Sequence, residues 1–235
     1  YLVIIQMAMF AFAQKVINFN KELTYEGDLP KGIRVMNPFR DEEVRSVSEQ
    51  FYRKFYNDNR QRKFIIGINP GRFGAGTTGV PFTDTKRLEE VCGIKMDSAN
   101  THEPSSVFIY DMIARYGGPE RFYGDFYINS ISPLGFLRLN NKGNWVNCNY
   151  YDYESLYRTL EDFLIATLKQ QVNFGIDTHK CYILGRKNAR YFERINDKEK
   201  LFESYEMLDH PRYIVQYKAR QKEDYIRDYL DKLGY

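Results

Sequence analysis

Two amides and an imidazole carry the first hint of chemistry in this sequence: Asn69, Asn129 and His210. Each follows a short β-branched or aromatic run: Phe64–Ile68, Phe126–Ile128 and, two residues upstream of the histidine, Tyr205–Leu208. An asparagine side chain is neutral and no strong base. It can hold a ligand or a water and match its donors and acceptors, but not take a proton. Around Asn69 stands the densest signal, Gly67-Ile68-Asn69-Pro70-Gly71-Arg72-Phe73-Gly74, continuing to Thr78-Gly79-Val80-Pro81-Phe82. Glycines at that density let backbone N–H groups approach a ligand closely. Two phosphate-binding patterns are excluded. Gly74-x-Gly76-x-x-Gly79 spells the dinucleotide fingerprint, but it starts well after the strand and runs into Val80-Pro81 instead of opening a helix. A nucleotide-triphosphate loop needs Gly-Lys-Ser/Thr, which is absent here.

The elements that must position these residues can be read from periodicity. Phe64–Ile68, Phe126–Ile128, Cys181–Leu184 and Tyr205–Leu208 are predicted as buried strands. Helical spacing joins Leu88, Val91 and Cys92, with Thr83 or Asp84 as cap and Gly93 as stop. It also joins Phe108, Ile109, Met112 and Ile113, ending at Gly117-Gly118. A third stripe is Leu156, Leu160, Phe163, Leu164 and Leu168, and Ile226, Leu230 and Leu233 form a fourth. Strands alternating with helices predict an α/β fold of three layers, α/β/α, around a central, mainly parallel four-stranded sheet. In such sheets ligands bind beyond the carboxyl ends of the strands. Asn69, Asn129 and His210 all fall there.

Composition narrows the class without naming a function. At 235 residues, with no repeat or linker-like tract, the chain is expected to form one domain over 1–235, residues 1–30 being a helical extension. A formal charge of +3 permits a nucleic-acid partner without arguing for one. Cys92, Cys148 and Cys181 are far apart, as are His102, His179 and His210, so no metal or cluster cofactor is expected. Three unpatterned cysteines suggest an intracellular setting. The apolar run Tyr1–Ala13 is too short to span a membrane and lacks the positive flank of a secretory signal.

With the glycine motif and Thr78–Phe82 in view, the chain resembles the uracil-DNA glycosylase superfamily. The most similar branch is that of the single-strand-selective monofunctional enzymes. Their first motif reads Gly-Met-Asn-Pro-Gly-Pro-Phe-Gly, followed by Thr-Gly-Val-Pro-Phe. Asn129-Ser130-Ile131-Ser132-Pro133-Leu134 is similar to a second block, Leu184-Gly185-Arg186 to a third, and His210-Pro211 to the start of the last. Four blocks in order, each at a predicted strand end, make a specific signal. Two departures stand out. Arg72 replaces the branch's usual proline, and Arg212-Tyr213-Ile214-Val215-Gln216-Tyr217 stands where Ser-Pro-Arg-Asn-Pro is expected.

The resemblance implies hydrolysis of the bond between base and sugar in DNA, without cofactor, by a monomer acting on a flipped-out nucleotide. Asn69 is then expected to hold the attacking water and His210 to donate to uracil O2 as negative charge grows there. Asn129 would read the base edge, accepting from N3–H and donating to O4, and Phe82 would stack on the base. Ile68 and Gly71 complete the expected base pocket. In classical uracil-DNA glycosylases a tyrosine stands at the place of Gly71, so the glycine implies room beside C5 for a 5-substituent such as hydroxymethyl. Arg186 and Lys187 are expected to meet phosphates, and Arg212, Tyr213 and Ile214 to fill the vacated stack. Rival readings are a catalytically silent nucleic-acid-binding domain of the same fold, a mismatch-specific thymine/uracil glycosylase, and a nucleotide-cofactor oxidoreductase.

Overall fold

The computed structural model describes residues 11–235; most of the apolar run Tyr1–Ala13 lies outside them. The described chain begins with α1 (Phe12–Glu22), β1 (Ile33–Met36), α2 (Glu42–Phe55), β2 (Arg62–Gly67), α3 (Ala75–Thr78) and α4 (Thr85–Glu90). It continues through α5 (Pro104–Arg115), α6 (Pro119–Asp125), β3 (Phe126–Ser130), β4 (Gly135–Leu139) and β5 (Trp145–Cys148). The last third holds α7 (Glu154–Val172), β6 (Ile176–Leu184), α8 (Arg186–Glu199), β7 (Ser204–Leu208), α9 (Pro211–Tyr217) and α10 (Lys222–Leu233).

The four expected strands form the central sheet, in the order β3-β2-β6-β7, and every neighbour pair is parallel. Both inner strands are fed by runs of Phe, Ile and Tyr without alternation, because helices cover both faces of a parallel sheet. All five residues of β3 are buried. The helices fall where their stripes lie, with Asp84 capping α4 through Arg87 N–H and Gly93 leaving it at φ +66°. Val91 departs from its stripe. It sits one residue past α4 and is 42% exposed.

A second sheet, order β1-β4-β5 and wholly antiparallel, was not expected. Its strands are four or five residues long and carry Arg34 and Arg138 among their apolar residues, so no buried run marks them. The β4–β5 turn is built by Asn140, whose side-chain oxygen accepts from Lys142 N–H and Asn144 N–H. This hairpin and the residue after it bring Asn147 and Asn149 to the cavity described below.

The expected helical extension over 1–30 is corrected in two ways. Among its described residues only Phe12–Glu22 are helical, and α1 is part of the core. Phe12, Ala13 and Val16 are buried, and Phe12 lies 4.9 Å from the guanidinium of the fully buried Arg62. Arg62 donates to both oxygens of Asp58, at 2.8 and 3.0 Å, and to Tyr123 O at 2.7 Å. That pairing is what a buried guanidinium requires. No helix among the described residues is long and apolar enough to cross a membrane.

Candidate active site

A cavity of about 530 Å³ opens where the central strands end. Its wall takes Ile68, Asn69 and Gly71 from the segment after β2, Ser130 from the end of β3, and Gly185 and His210 from beyond β6 and β7. Phe82, Glu103, Asn147 and Tyr151 close the sides.

Asn69 is held by the loop that follows β5. Its Oδ1 accepts Tyr150 N–H at 3.1 Å, and its Nδ2 donates to Cys148 O and Pro70 O, both at 3.3 Å. The carbonyl oxygen keeps a second lone pair. Behind it, the fully buried Asn188 ties Tyr150 to the end of β2. Tyr150 Oη donates to Asn188 Oδ1 at 2.9 Å, and Asn188 Nδ2 reaches the carbonyls of Ile66 and Gly67. The amide of Asn69 is thereby fixed before any ligand arrives.

Phe82 has a backbone φ of +53°, a left-handed conformation that a bulky residue rarely adopts. Strain of this kind collects at functional sites. His210 caps α9: its Nδ1 accepts Arg212 N–H at 3.1 Å. That bond leaves Nε2 to carry the proton of the neutral ring. Burial lowers the histidine's pKa to about 4, and the charge of Arg212 acts in the same direction. Gly185, at φ +93°, lets the ends of β6 and β7 meet, since a β-carbon there would come within 3.3 Å of His210 Cβ.

Asn129 corrects an expectation. Its Nδ2 donates to Tyr127 Oη at 2.6 Å and its Oδ1 accepts Ser130 N–H at 2.9 Å. It lines a small cleft with Pro133, which shares Pro70, Ala75 and Pro81 with the wall of the main cavity. One step along a strand reverses the face, so Ser130 meets the cavity and Asn129 turns away. The Ser130 hydroxyl makes no hydrogen bond with the described residues. Asn129 thus keeps its polar atoms on Tyr127 and Ser130, while Ser130 stands in the wall of the main cavity.

Of the expected DNA contacts, Arg186, Lys187, Arg212 and Tyr213 are exposed and line the cavity mouth. Lys187 Nζ lies 4.7 Å from the Tyr151 ring centroid. Ile214 does not belong with them. The segment after His210 is a helix, started by Pro211 at its first turn, and its third-position periodicity turns Ile214 inward to 0% exposure. Tyr213 and Tyr217 take the outer face, rings 5.7 Å apart. Glu103 was not singled out in the sequence. Burial, together with the nearby Asp84, raises its carboxyl above the usual range, and Arg212 pulls the other way. No group of three or more His, Cys, Asp or Glu among the described residues could hold a metal ion.

The parallel four-stranded sheet flanked by helices is the fold of one family of repair enzymes. Residues 53–234 match the family model described as the uracil DNA glycosylase superfamily, and the chain belongs to that superfamily. Its resemblance to the single-strand-selective branch stands. Among solved structures it is similar to that of wild-type Pedobacter heparinus SMUG2, with 48% identity and a TM-score of 0.93. That match covers 95% of this chain and 97% of the other. A comparison with curated proteins found no match.

Proposed function

We propose that this protein is a monofunctional glycosylase that hydrolyses the N-glycosidic bond of uracil-type bases in DNA, the nucleotide being flipped into the 530 Å³ cavity. The observation that carries the reading is the convergence of Asn69, Phe82 and His210 on that one cavity, each held by its own backbone bonds or strain. Breaking the bond puts positive charge on the sugar and negative charge on the departing base. Asn69, its amide fixed by Tyr150, offers its remaining lone pair to a water beside the sugar carbon. The neutral His210 donates from Nε2 to the base oxygen as charge grows, a contribution of roughly 3–4 kcal/mol for one such donor. Phe82 stacks on the base.

Ser130 reads the base edge in place of Asn129. A hydroxyl rotates to donate or accept, so it serves the O4 and N3–H of uracil and also related oxo bases. Gly71 leaves the C5 side open: its φ is not in the left-handed region, and a β-carbon would meet only Asn147 Nδ2, at 3.6 Å. The glycine is therefore not there for backbone reasons, which supports a role in admitting 5-hydroxymethyluracil.

The test is base release from oligonucleotides carrying uracil, 5-hydroxymethyluracil, xanthine or hypoxanthine, single- and double-stranded, with and without alkali. Expected is release of uracil, leaving a strand that breaks only after alkali. Borohydride should trap no covalent adduct, although Lys187 lies at the cavity. Tight DNA binding with no base released from any substrate would establish the silent binding domain instead.

A further inference from the structure

Asn147 belongs to β5, in the small antiparallel sheet, yet its side chain lines the cavity. Its Oδ1 accepts the backbone N–H of Arg72 at 3.1 Å. That bond settles which end of the amide faces the loop. Nδ2 is left pointing away from it, with no acceptor among the described residues. It is also the first atom that a β-carbon on Gly71 would meet. The open space beside Gly71 is thus bordered by a free, oriented donor.

Arg72 grips the same strand twice. Besides its N–H on Asn147, its Nη1 donates to Trp145 O at 2.8 Å, and its guanidinium lies 5.1 Å from the Phe73 ring centroid. A proline at position 72 would have no N–H to give. The departure from the motif of the similar branch and the orientation of Asn147 are therefore one feature.

We propose that Asn147 is a specificity-determining residue, donating from Nδ2 to an oxygen carried on C5 of the flipped base, with Arg72 N–H holding the amide in register. This rests on the reading above, in which the C5 edge faces Gly71. A hydroxymethyl group supplies the acceptor. A methyl group supplies none and would shut water away from the amide, leaving a buried donor unsatisfied. Uracil leaves space for a water to take that hydrogen bond.

The experiment compares kcat/KM for 5-hydroxymethyluracil and uracil in single-stranded oligonucleotides. Asn147→Asp keeps the shape and the acceptor for Arg72 N–H while removing the donor. Asn147→Leu removes both, and serves if the first variant is unstable. Each is expected to lower the 5-hydroxymethyluracil-to-uracil ratio about tenfold, the worth of one hydrogen bond, whatever the change in uracil release itself. Arg72→Pro should move the ratio the same way, and Arg72→Ala, which retains the N–H, should leave it in place. An unchanged ratio in both folded Asn147 variants overturns the proposal. So does a wild type that releases uracil but no 5-hydroxymethyluracil. Release of neither base would instead remove the glycosylase reading itself, and this inference with it.

Discussion

The ring of Phe82 occupies the space where a side chain on Gly67 would begin. A β-carbon on Gly67 would lie 2.9 Å from Phe82 Cε2 and 3.0 Å from Cζ, with the carbonyl of Asn129 at 3.2 Å. Gly67 is the last residue of β2 and its φ is not left-handed. It is glycine for close approach, not for backbone freedom.

Gly67→Ala should therefore push the Phe82 ring out of place. Expected are a fall in single-turnover uracil release of about tenfold or more and a loss of about 1–3 kcal/mol of stability from overpacking. A variant with wild-type rate would show that the ring's position is not used.

Phe82 itself separates ring from backbone. At φ +53° an alanine keeps the strain that a glycine relieves. Phe82→Gly should then be more stable than Phe82→Ala by about 1 kcal/mol in denaturant unfolding, with both losing base release. The opposite order would mean that the left-handed conformation is not strained here.

The depressed pKa of His210 has consequences for both rate and stability. In the proposed mechanism the neutral form is the donor, so single-turnover rates should hold from pH 8 through 6 and fall only toward about 4. A midpoint near 6.5 would contradict this. The unfolded histidine titrates near about 6.5, so below that pH the unfolded chain binds more protons than the folded one. The stability tied to the neutral ring is fully present above about 6.5 and is lost as pH falls through 4. His210→Asn keeps an acceptor for Arg212 N–H and should flatten that part of the melting-versus-pH curve.

Asn69→Ala should lower turnover by at least about 100-fold. It should also cost about 1–2 kcal/mol, because Tyr150 N–H loses its acceptor. Measuring melting beside the rate is essential. A large loss of rate with native-like melting at the assay temperature assigns the effect to the missing amide.

Ser130 and Asn129 should exchange the effects that the sequence suggests. Ser130→Ala is expected to weaken uracil release about tenfold with little change in melting. Asn129→Ala should lower stability more than it changes the relative rates on different bases, since both its polar atoms serve Tyr127 and Ser130. A variant of Asn129 with altered base preference and intact stability would restore its expected role.

What was legible in the sequence divides along physical lines. The central sheet was readable because strands buried on both faces are continuous apolar runs, and Asn69 and His210 were readable because they follow such runs. β1, β4 and β5 left no comparable mark: they are short, β1 and β4 each carry an arginine, and their pairing is set by partners as distant as Ile33 and Arg138. Asn147 was therefore invisible as a site residue until the hairpin was folded. The choice between Asn129 and Ser130 is one of phase, since a block match fixes a strand's place but not which residue of a pair faces the cavity. Ile214 was misplaced because a segment resembling a loop in register is a helix in fact, begun by Pro211 and capped by His210.

The buried Arg62 bears on where the autonomous folding unit starts. The family match opens at residue 53, within α2, and omits α1 altogether. Yet the Arg62 guanidinium lies against the stacked rings of Phe12 and Tyr56, 4.9 and 4.8 Å from their centroids, and Phe12 N–H donates to Asp58 O. A truncation to the matched segment would open one side of that charge to water and strip the aromatic cover from Tyr56 and Tyr127. A shortened version for expression should begin ahead of Phe12, although no described residue before 53 lines the proposed active-site cavity.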